Sequence, residues 1–541
     1  MKKIGLLLIL IIFSCNFQTV QKPISKTKKL ASLAKLYGFL KYYHPEVANG
    51  KYNWDNEFIK YLPQVLSATD KKSLSTIYIK WINSLGDVEI CEKCSSKEDY
   101  FEKNFDLSWT QDTTLFTREL SSKLKYIENN RNQGDNFYVS TGPVGNIQVI
   151  NEPIYEDFEY PTEDYRLLGL FKYWNIIEYF YPYKYLTDQK WDSVLKEMIP
   201  EFQNAKNKFE YQALIKELIA KLDDTHAWIS FSDERPKSLP IKVSQIENKA
   251  VVSGFYNDSI ANLNNLKLGD IILKFDGKDL KEETNENLKY VPGSNLKIKT
   301  KSTFSKLLNG FENSLNLTIE RNGQIKELNV NRYDFNDFNY RANSKAIKSK
   351  SISDEIGYIN MATLKMEDVS NIFQSFETKK SIIIDLRNYP AFIYKYFSGF
   401  INSEKRDFSK VYSPSINYPG KFLLIENLKT DGSRKAYKGE IILLVNENSI
   451  SRTEFTIMAF QTADNVITVG NQTAGADGDV VVFEYMGGYK TAISGNGILY
   501  PDGTETQRKG VKIDVHMEPT INGLRQGRDE ILEKAIEIAN E

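Results

Sequence analysis

The segment from Val445 to Phe455 carries two serines, Ser449 and Ser451, between a run of apolar residues and a stretch with helical spacing. A serine at the start of a helix is commonly an N-cap, accepting an N–H of the first turn. The same position also offers chemistry, because the free N–H groups and the helix dipole can stabilise a developing oxyanion. A serine hydroxyl needs a base to act as a nucleophile at neutral pH. Imidazole is the side chain whose ordinary pKa suits that task, and the 541 residues hold three candidates, His44, His226 and His516. Only three cysteines are present, Cys15, Cys91 and Cys94, so a zinc site of His and Cys ligands has little to draw on. No metal or other cofactor is expected. Lys plus Arg (70) balances Asp plus Glu (71), and this near-neutral charge argues against a nucleic-acid partner.

These residues need a scaffold, and the chain is too long for one core. Leu33 to Asp87 aligns without gaps on Leu170 to Asp224, at a constant displacement of 137 residues. Tyr42, Pro45, Trp54, Asp55, Pro63, Ala68, Leu85 and Asp87 meet Tyr179, Pro182, Trp191, Asp192, Pro200, Ala205, Leu222 and Asp224. Apolar residues three and four apart make both segments helical, with the Pro and Trp-Asp positions expected at helix ends. The expectation is a duplicated helical module, first copy 30–160 and second copy 161–236. After the shared aspartate the second copy continues Thr225-His226, whereas the first continues Val88-Glu89. His44 falls at the Tyr181 position, beside a proline, and is expected to be structural; His516 is given no role.

From about Leu239 to Arg332 short β-type runs take over, with Gly269-Asp270 ahead of one strand and a turn at Asn322-Gly323. This pattern resembles a PDZ domain, placed at 237–335, whose open strand edge accepts an extended peptide. From Ile356 onward, Ile382–Ile384 and Ile441–Val445 look like buried parallel strands alternating with helices. The fold class is thus multidomain α/β, with its last domain at 350–541. One helix is expected after Ser451 and another near Arg528 to Ala539.

The N-terminus has lysines at 2 and 3, an apolar run from Ile4 to Phe13, then Ser14-Cys15. The run is shorter than the roughly 20 residues that span a bilayer and reads as a secretory signal. Its ending resembles a bacterial lipoprotein signal, residues 1–15, in which Cys15 is lipidated; residues 16–29 would be a tether. The implied location is outside the cytoplasm on a membrane, periplasmic or at the cell surface. For an exported chain, Cys91 and Cys94 fit a local disulfide or two idle thiols better than a redox or metal site.

Several motifs together resemble the tail-specific (C-terminal processing) serine peptidases, with the tricorn core protease as a relative. Ser449-Ile450-Ser451-Arg452-Thr453-Glu454 is similar to the family's Ser-Ala-Ser-Ala-Ser-Glu loop, which makes Ser451 the nucleophile. Gly470 to Gly475 resembles its Gly-Glu-x-Thr-x-Gly turn, Asp385-Leu386-Arg387-Asn388 its Asp-x-Arg-x-Asn strand end, and Pro501 to Val511 its closing strand pair. The resemblance implies a catalytic domain of crotonase-like or ClpP-like α/β type. Members with a Ser/Lys dyad carry lysine where this chain has Ala476, so the tricorn-like arrangement is implied, with His226 as base after Thr225. There the base is oriented by a glutamate at the position of Gln507; Glu505, two residues earlier on the same strand face, is the other candidate. Thr225 would position water or a peptide carbonyl. The N–H of Arg452 and one from the turn after Arg387 would form the oxyanion hole.

Two functions follow from different classes. One is a membrane-anchored serine endopeptidase with a polypeptide substrate, its end captured by the PDZ-like part. The other is an inactive or weakly active peptide-binding scaffold, suggested by Ala476 and by Asn388-Tyr389-Pro390-Ala391 where relatives often have paired glycines.

Overall fold

The computed structural model describes residues 23–95, 98–231, 235–338 and 347–541. The signal-like segment with Cys15 lies outside the described residues. The described chain opens with the helices α1 (Lys26–Tyr43), α2 (Trp54–Ser67) and α3 (Lys71–Ser84), with a single helical turn, Pro45–Ala48, between the first two. Asn53 and Asp70 cap α2 and α3 by accepting N–H bonds from Asn56 and Ser73. The arrangement recurs as α4 (Glu163–Phe180), α5 (Trp191–Asn204) and α6 (Lys208–Ala220). Both ends of α4 and α5 are displaced by 137 residues from those of α1 and α2. Trp54 and Trp191 do begin helices, but Pro63 and Pro200 lie inside α2 and α5. Burial of Leu62 and Val65 around the first proline, and of Ile199 and Phe202 around the second, overrides the local cost of a missing N–H.

The two helical sets pack on each other through α1 and α4. Asn175 donates to the Ala34 carbonyl at 2.9 Å, and a side chain at Gly38 would occupy the space of its amide. Lys172 bridges Asp55 and Glu152 at 3.0 Å each within this interface. The corresponding residues have diverged. Tyr181 donates its hydroxyl to Leu222 at 3.1 Å, whereas His44 is fully buried with neither ring nitrogen bonded. Burial lowers the His44 pKa to about 4. An unfolded histidine protonates near 6.5, so the unfolded state gains the proton first as pH falls, and stability is lost from about pH 6.5 down to about 4. His44→Tyr, which restores the residue of the other copy, is expected to remove about 2–3 kcal/mol of that acid sensitivity. Urea unfolding at pH 7 and pH 4.5 checks this, and equal pH dependence in both proteins would refute it.

After α6 the chain passes through His226 into the short strand β1 (Trp228–Ser230). It then builds a sheet from β2 (Ile241–Ile246), β3 (Lys249–Phe255), β4 (Ile271–Phe275), β5 (Ser314–Arg321) and β6 (Gln324–Asn331), in the order β6-β5-β4-β3-β2. Helix α7 (Leu296–Leu308) packs along the edge strand β2. Asn322 and Gly323 have φ of 52° and 75°, the paired positive values that a tight hairpin between β5 and β6 requires.

The last body is a mostly parallel sheet of β7 (Ile356–Asn360), β8 (Ser381–Asp385), β9 (Glu440–Val445) and β10 (Val466–Gly470). Ser349–Ser351 adds one antiparallel edge and Val515–His516 the other, parallel edge. Ile441 to Val445 are wholly buried because both faces are covered. Helix α8 (Arg452–Phe460) packs on one face and α9 (Glu530–Asn540) on the other.

Two further sheets join this body to the helical segments. The strand β11 (Val480–Tyr485) pairs with β12 (Tyr489–Ser494), and β1 forms the third strand. Tyr100–Phe101 pairs with the strand Phe422–Lys429. Segments with a purely helical pattern thus donate strands too short to leave a period of their own. Cys91 and Cys94 are joined as a disulfide, one of the outcomes expected for that pair.

Candidate active site

The parallel strand β9 delivers the loop 446–450 to the start of α8, and the two serines take different roles there. Ser449 is fully buried; its hydroxyl donates to the Leu386 carbonyl at 2.7 Å and accepts the Asn446 N–H at 3.2 Å. It pins the loop to the end of β8 and has no freedom to attack a ligand. Ser451 is partly exposed, with φ 55° and ψ −122°, a conformation that a residue with a Cβ seldom adopts. Such a backbone stores about 1–3 kcal/mol and persists only when its surroundings hold it. Ser451→Gly should therefore resist denaturant better than Ser451→Ala, by about 1 kcal/mol. Equal unfolding midpoints would show that the elbow is unstrained.

Glu454 holds that conformation. It is fully buried one turn into α8 and accepts from the Thr473 hydroxyl (2.5 Å) and from the N–H groups of Gly475 (2.8 Å), Ala476 (2.9 Å) and Ser451 (3.3 Å). Burial pushes its carboxyl up, and these donors pull it back. The Ser451 N–H also donates to the Ala476 carbonyl at 2.8 Å. Glycine is needed at 475, where φ is 65° and a Cβ would meet the Arg508 backbone at 2.8 Å. Asp477 follows in full burial with Oδ2 unbonded. Burial first, and the Glu454 charge second, push its carboxyl well above the usual range.

His226 lies between α6 and β1, largely buried. Its Nδ1 is 3.0 Å from the Ser494 hydroxyl, and that hydroxyl donates to Asp224 Oδ1 at 3.0 Å. Asp224 also accepts the N–H groups of Ser494 (2.9 Å) and His226 (3.1 Å). The carboxylate can only accept, so the Ser494 hydrogen points to it and the Ser494 lone pairs meet Nδ1–H. That polarity places the imidazole lone pair on Nε2. Burial lowers the His226 pKa while Asp224 and Asp479 oppose the shift.

The two arms are tied through short contacts. The Asp479 carbonyl accepts the Gly495 N–H at 2.6 Å, next to Ser494. Asp479 interacts electrostatically with both His226 and Arg452. Ser294 exchanges bonds with Thr225 at 2.9 Å, and Asn295 donates to the carbonyls of Thr473 and Ala474 at 3.1 Å. The turn after Arg387 docks on α8, where the Thr453 hydroxyl donates to the Asn388 carbonyl at 2.8 Å. Arg387 anchors that turn by gripping Asp385 and Asp529, each through two nitrogens. The Arg452 guanidinium lies over the rings of Tyr389 and Phe392.

Three expectations need correcting. Glu505 does not reach the imidazole: it accepts from Tyr185 at 2.7 Å and from Lys103 at 3.0 Å, drawn away by those partners. Gln507 approaches the network from its nitrogen, donating to Asp224 Oδ1 at 3.3 Å and Ser294 at 3.5 Å, while its amide oxygen is unbonded. The Thr225 hydroxyl is spent on Ser294 rather than turned to a ligand. Asp224 and Ser494 make the contacts to His226 instead. Asp224 was visible as the counterpart of Asp87, which is exposed; Ser494 carries no signal in a strand sequence. Among the described residues no group of three His, Cys, Asp or Glu side chains is placed to hold a metal ion.

A partly parallel α/β body with a serine at a strained strand-to-helix elbow defines a serine hydrolase architecture. Residues 355–517 match the family described as Peptidase family S41. Members of the family are serine peptidases. No curated protein matches the chain by sequence. Among solved structures, mature CPAF complexed with lactacystin is similar over 70% of this chain and 98% of its own, at 14% identity and a TM-score of 0.56. Mature CPAF alone gives a TM-score of 0.55 at 14% identity, covering 70% of this chain and 96% of that one. The photosystem II D1 C-terminal processing protease covers 69% of this chain and 98% of its own, at 16% identity and a TM-score of 0.42.

Proposed function

We propose that the protein is a serine endopeptidase acting on polypeptides, with Ser451 as nucleophile and His226 as general base. The observation that carries this reading is the polarity of the Asp224–Ser494–His226 chain, which leaves Nε2 able to accept a proton. Nε2 takes the proton of the Ser451 hydroxyl as Oγ attacks the scissile carbonyl carbon. The resulting oxyanion is received by the Arg452 N–H at the start of α8 and by an N–H of the turn after Arg387; Pro390 has none to give. The imidazolium then passes its proton to the departing amine, and water releases the acyl group by the same steps in reverse. Asp224 and Ser494 act as positioning residues, and Gln507 supports Asp224.

The domain division proposed is two related helical modules (30–160 and 161–236), a PDZ-like unit (237–335) and the peptidase body (350–541). The repeated helix bounds support the first pair. The edge position of β2 beside α7 supports capture of a polypeptide end by the PDZ-like unit. Lipid anchoring through Cys15 outside the cytoplasm rests on the sequence pattern alone.

A fluorophosphonate probe with wild-type protein and Ser451→Ala tests the reading. Covalent labelling of the wild type at Ser451, together with casein hydrolysis, is expected. Absence of both would favour the peptide-binding scaffold, for which Ala476 and Pro390 remain the motivating residues.

A further inference from the structure

The disulfide Cys91–Cys94 lies outside the site already described, in a single helical turn, Glu92–Ser95, with both cysteines partly exposed. A disulfide stabilises mainly by restricting the unfolded chain, and a link between residues three apart restricts it least. The surroundings hold this turn without the link. The Cys91 N–H donates to Asn130 Oδ1 at 2.9 Å, and Asn130 donates in turn to the Tyr126 carbonyl at 2.9 Å, in the last turn of the helix Arg118–Asn129. Arg131 is buried, donates to the Asn417 carbonyl at 2.8 Å and lies 3.6 Å from the centre of the Tyr418 ring. On this frame the two sulfurs have unequal neighbours. Cys91 Sγ accepts the Cys94 N–H at 3.1 Å. Cys94 Sγ lies 3.3 Å from the Arg131 carbonyl, to which a disulfide sulfur has no hydrogen to give.

We propose that Cys91–Cys94 is a thiol–disulfide exchange site that takes a dithiol as its reaction partner. The N–H aimed at Cys91 Sγ stabilises that sulfur as a thiolate, which makes it the better leaving group. One thiolate of the dithiol attacks Cys94 Sγ; the bond between the two protein sulfurs breaks, and its electron pair leaves on Cys91. The second thiolate of the dithiol then attacks the first within the mixed disulfide, and the Cys94 thiolate departs. The dithiol is oxidised to a disulfide, and the two cysteines take up the two protons it gave up. As a thiol, Cys94 can donate to the Arg131 carbonyl, so the reduced pair has a bond that the oxidised pair lacks. A monothiol stalls after the first step, because Cys91, held beside Cys94 through Asn130, attacks back and expels it. Neither step involves Ser451 or His226.

Differential alkylation of the full-length protein, followed by peptide mass mapping, reads Cys91 and Cys94 apart from Cys15. With the chain folded, dithiothreitol is expected to reduce the pair at least about tenfold more than glutathione at equal thiol concentration. Tryptophan fluorescence should stay native throughout. The single-thiol variants Cys94→Ser and Cys91→Ser test the asymmetry, since the backbone N–H at position 94 survives in both. At pH 7, iodoacetamide should alkylate Cys91 in the first at least about fivefold faster than Cys94 in the second, because an ordinary thiol is mostly protonated there. A pair that opens only together with loss of the native fluorescence is a structural staple, and that result would overturn the proposal. Equal reduction by dithiothreitol and glutathione would also overturn it, as would equal alkylation of the two variants.

Discussion

Alanine at Ser451 or His226 is expected to lower kcat on a polypeptide substrate by about 10⁴-fold or more, and Asp224→Asn by a comparable amount. The asparagine case is the more informative. Asp224 can only accept, so it draws the Ser494 hydrogen to itself and leaves Ser494 to receive the proton on Nδ1. An amide in its place can donate to Ser494, whose hydrogen would then turn to His226. The imidazole would hold its proton on Nε2, facing the nucleophile with nothing to accept with. Steady-state kinetics decide it; an Asp224→Asn enzyme within tenfold of wild type would remove Asp224 from the mechanism. The pH profile adds a sign. Burial disfavours the imidazolium of His226, so the free base persists as pH falls and the acid limb of kcat/KM should lie below about 6.5. Removing the Asp224 charge takes away an opposing influence and should move the limb further to acid.

Glu454→Ala is expected to cost stability on the scale of about 4 kcal/mol or more. Its carboxylate is fully buried and accepts four donors from three places in the chain, Ser451, Thr473 and the Gly475-Ala476 turn. Alanine leaves the backbone donors at 475 and 476 buried without acceptors, and the hydroxyl of Thr473 keeps only the Val511 N–H, at 3.0 Å. Glu454→Gln retains one acceptor oxygen but turns an amide hydrogen toward donors, so an intermediate loss is expected. Urea unfolding followed by tryptophan fluorescence measures both. A loss below about 1 kcal/mol for alanine would mean that the clamp is dispensable.

The parallel strands, the helix after Ser451 and the paired helical segments were legible because burial on two faces and helical periodicity both mark the sequence. The proposed nucleophile was legible from a contiguous motif. The orienting chain of the base was not, because it is assembled from distant parts: Ser494 and His226 are 268 residues apart. Glu505 and Gln507 were reasonable by position along a strand, yet the side chain of Glu505 is claimed by Tyr185 and Lys103, which strand alternation cannot reveal. Likewise the donated strands β1 and Tyr100–Phe101 span two or three residues, shorter than any period that could announce them.

The strand β1 that follows His226 has a consequence for the life of the chain before folding is complete. The proposed base, His226, lies in the first half of the sequence and the proposed nucleophile, Ser451, in the second, and Ser494, bonded to the imidazole, is encoded later still. A chain still emerging from the ribosome, or threaded through a pore, can hold its histidine but cannot align it. On the proposed mechanism, competence waits until β11 and β12 have formed and β1 has paired with them. On that reading, the order of synthesis would keep an unfinished chain from hydrolysing its neighbours or its own unfolded length.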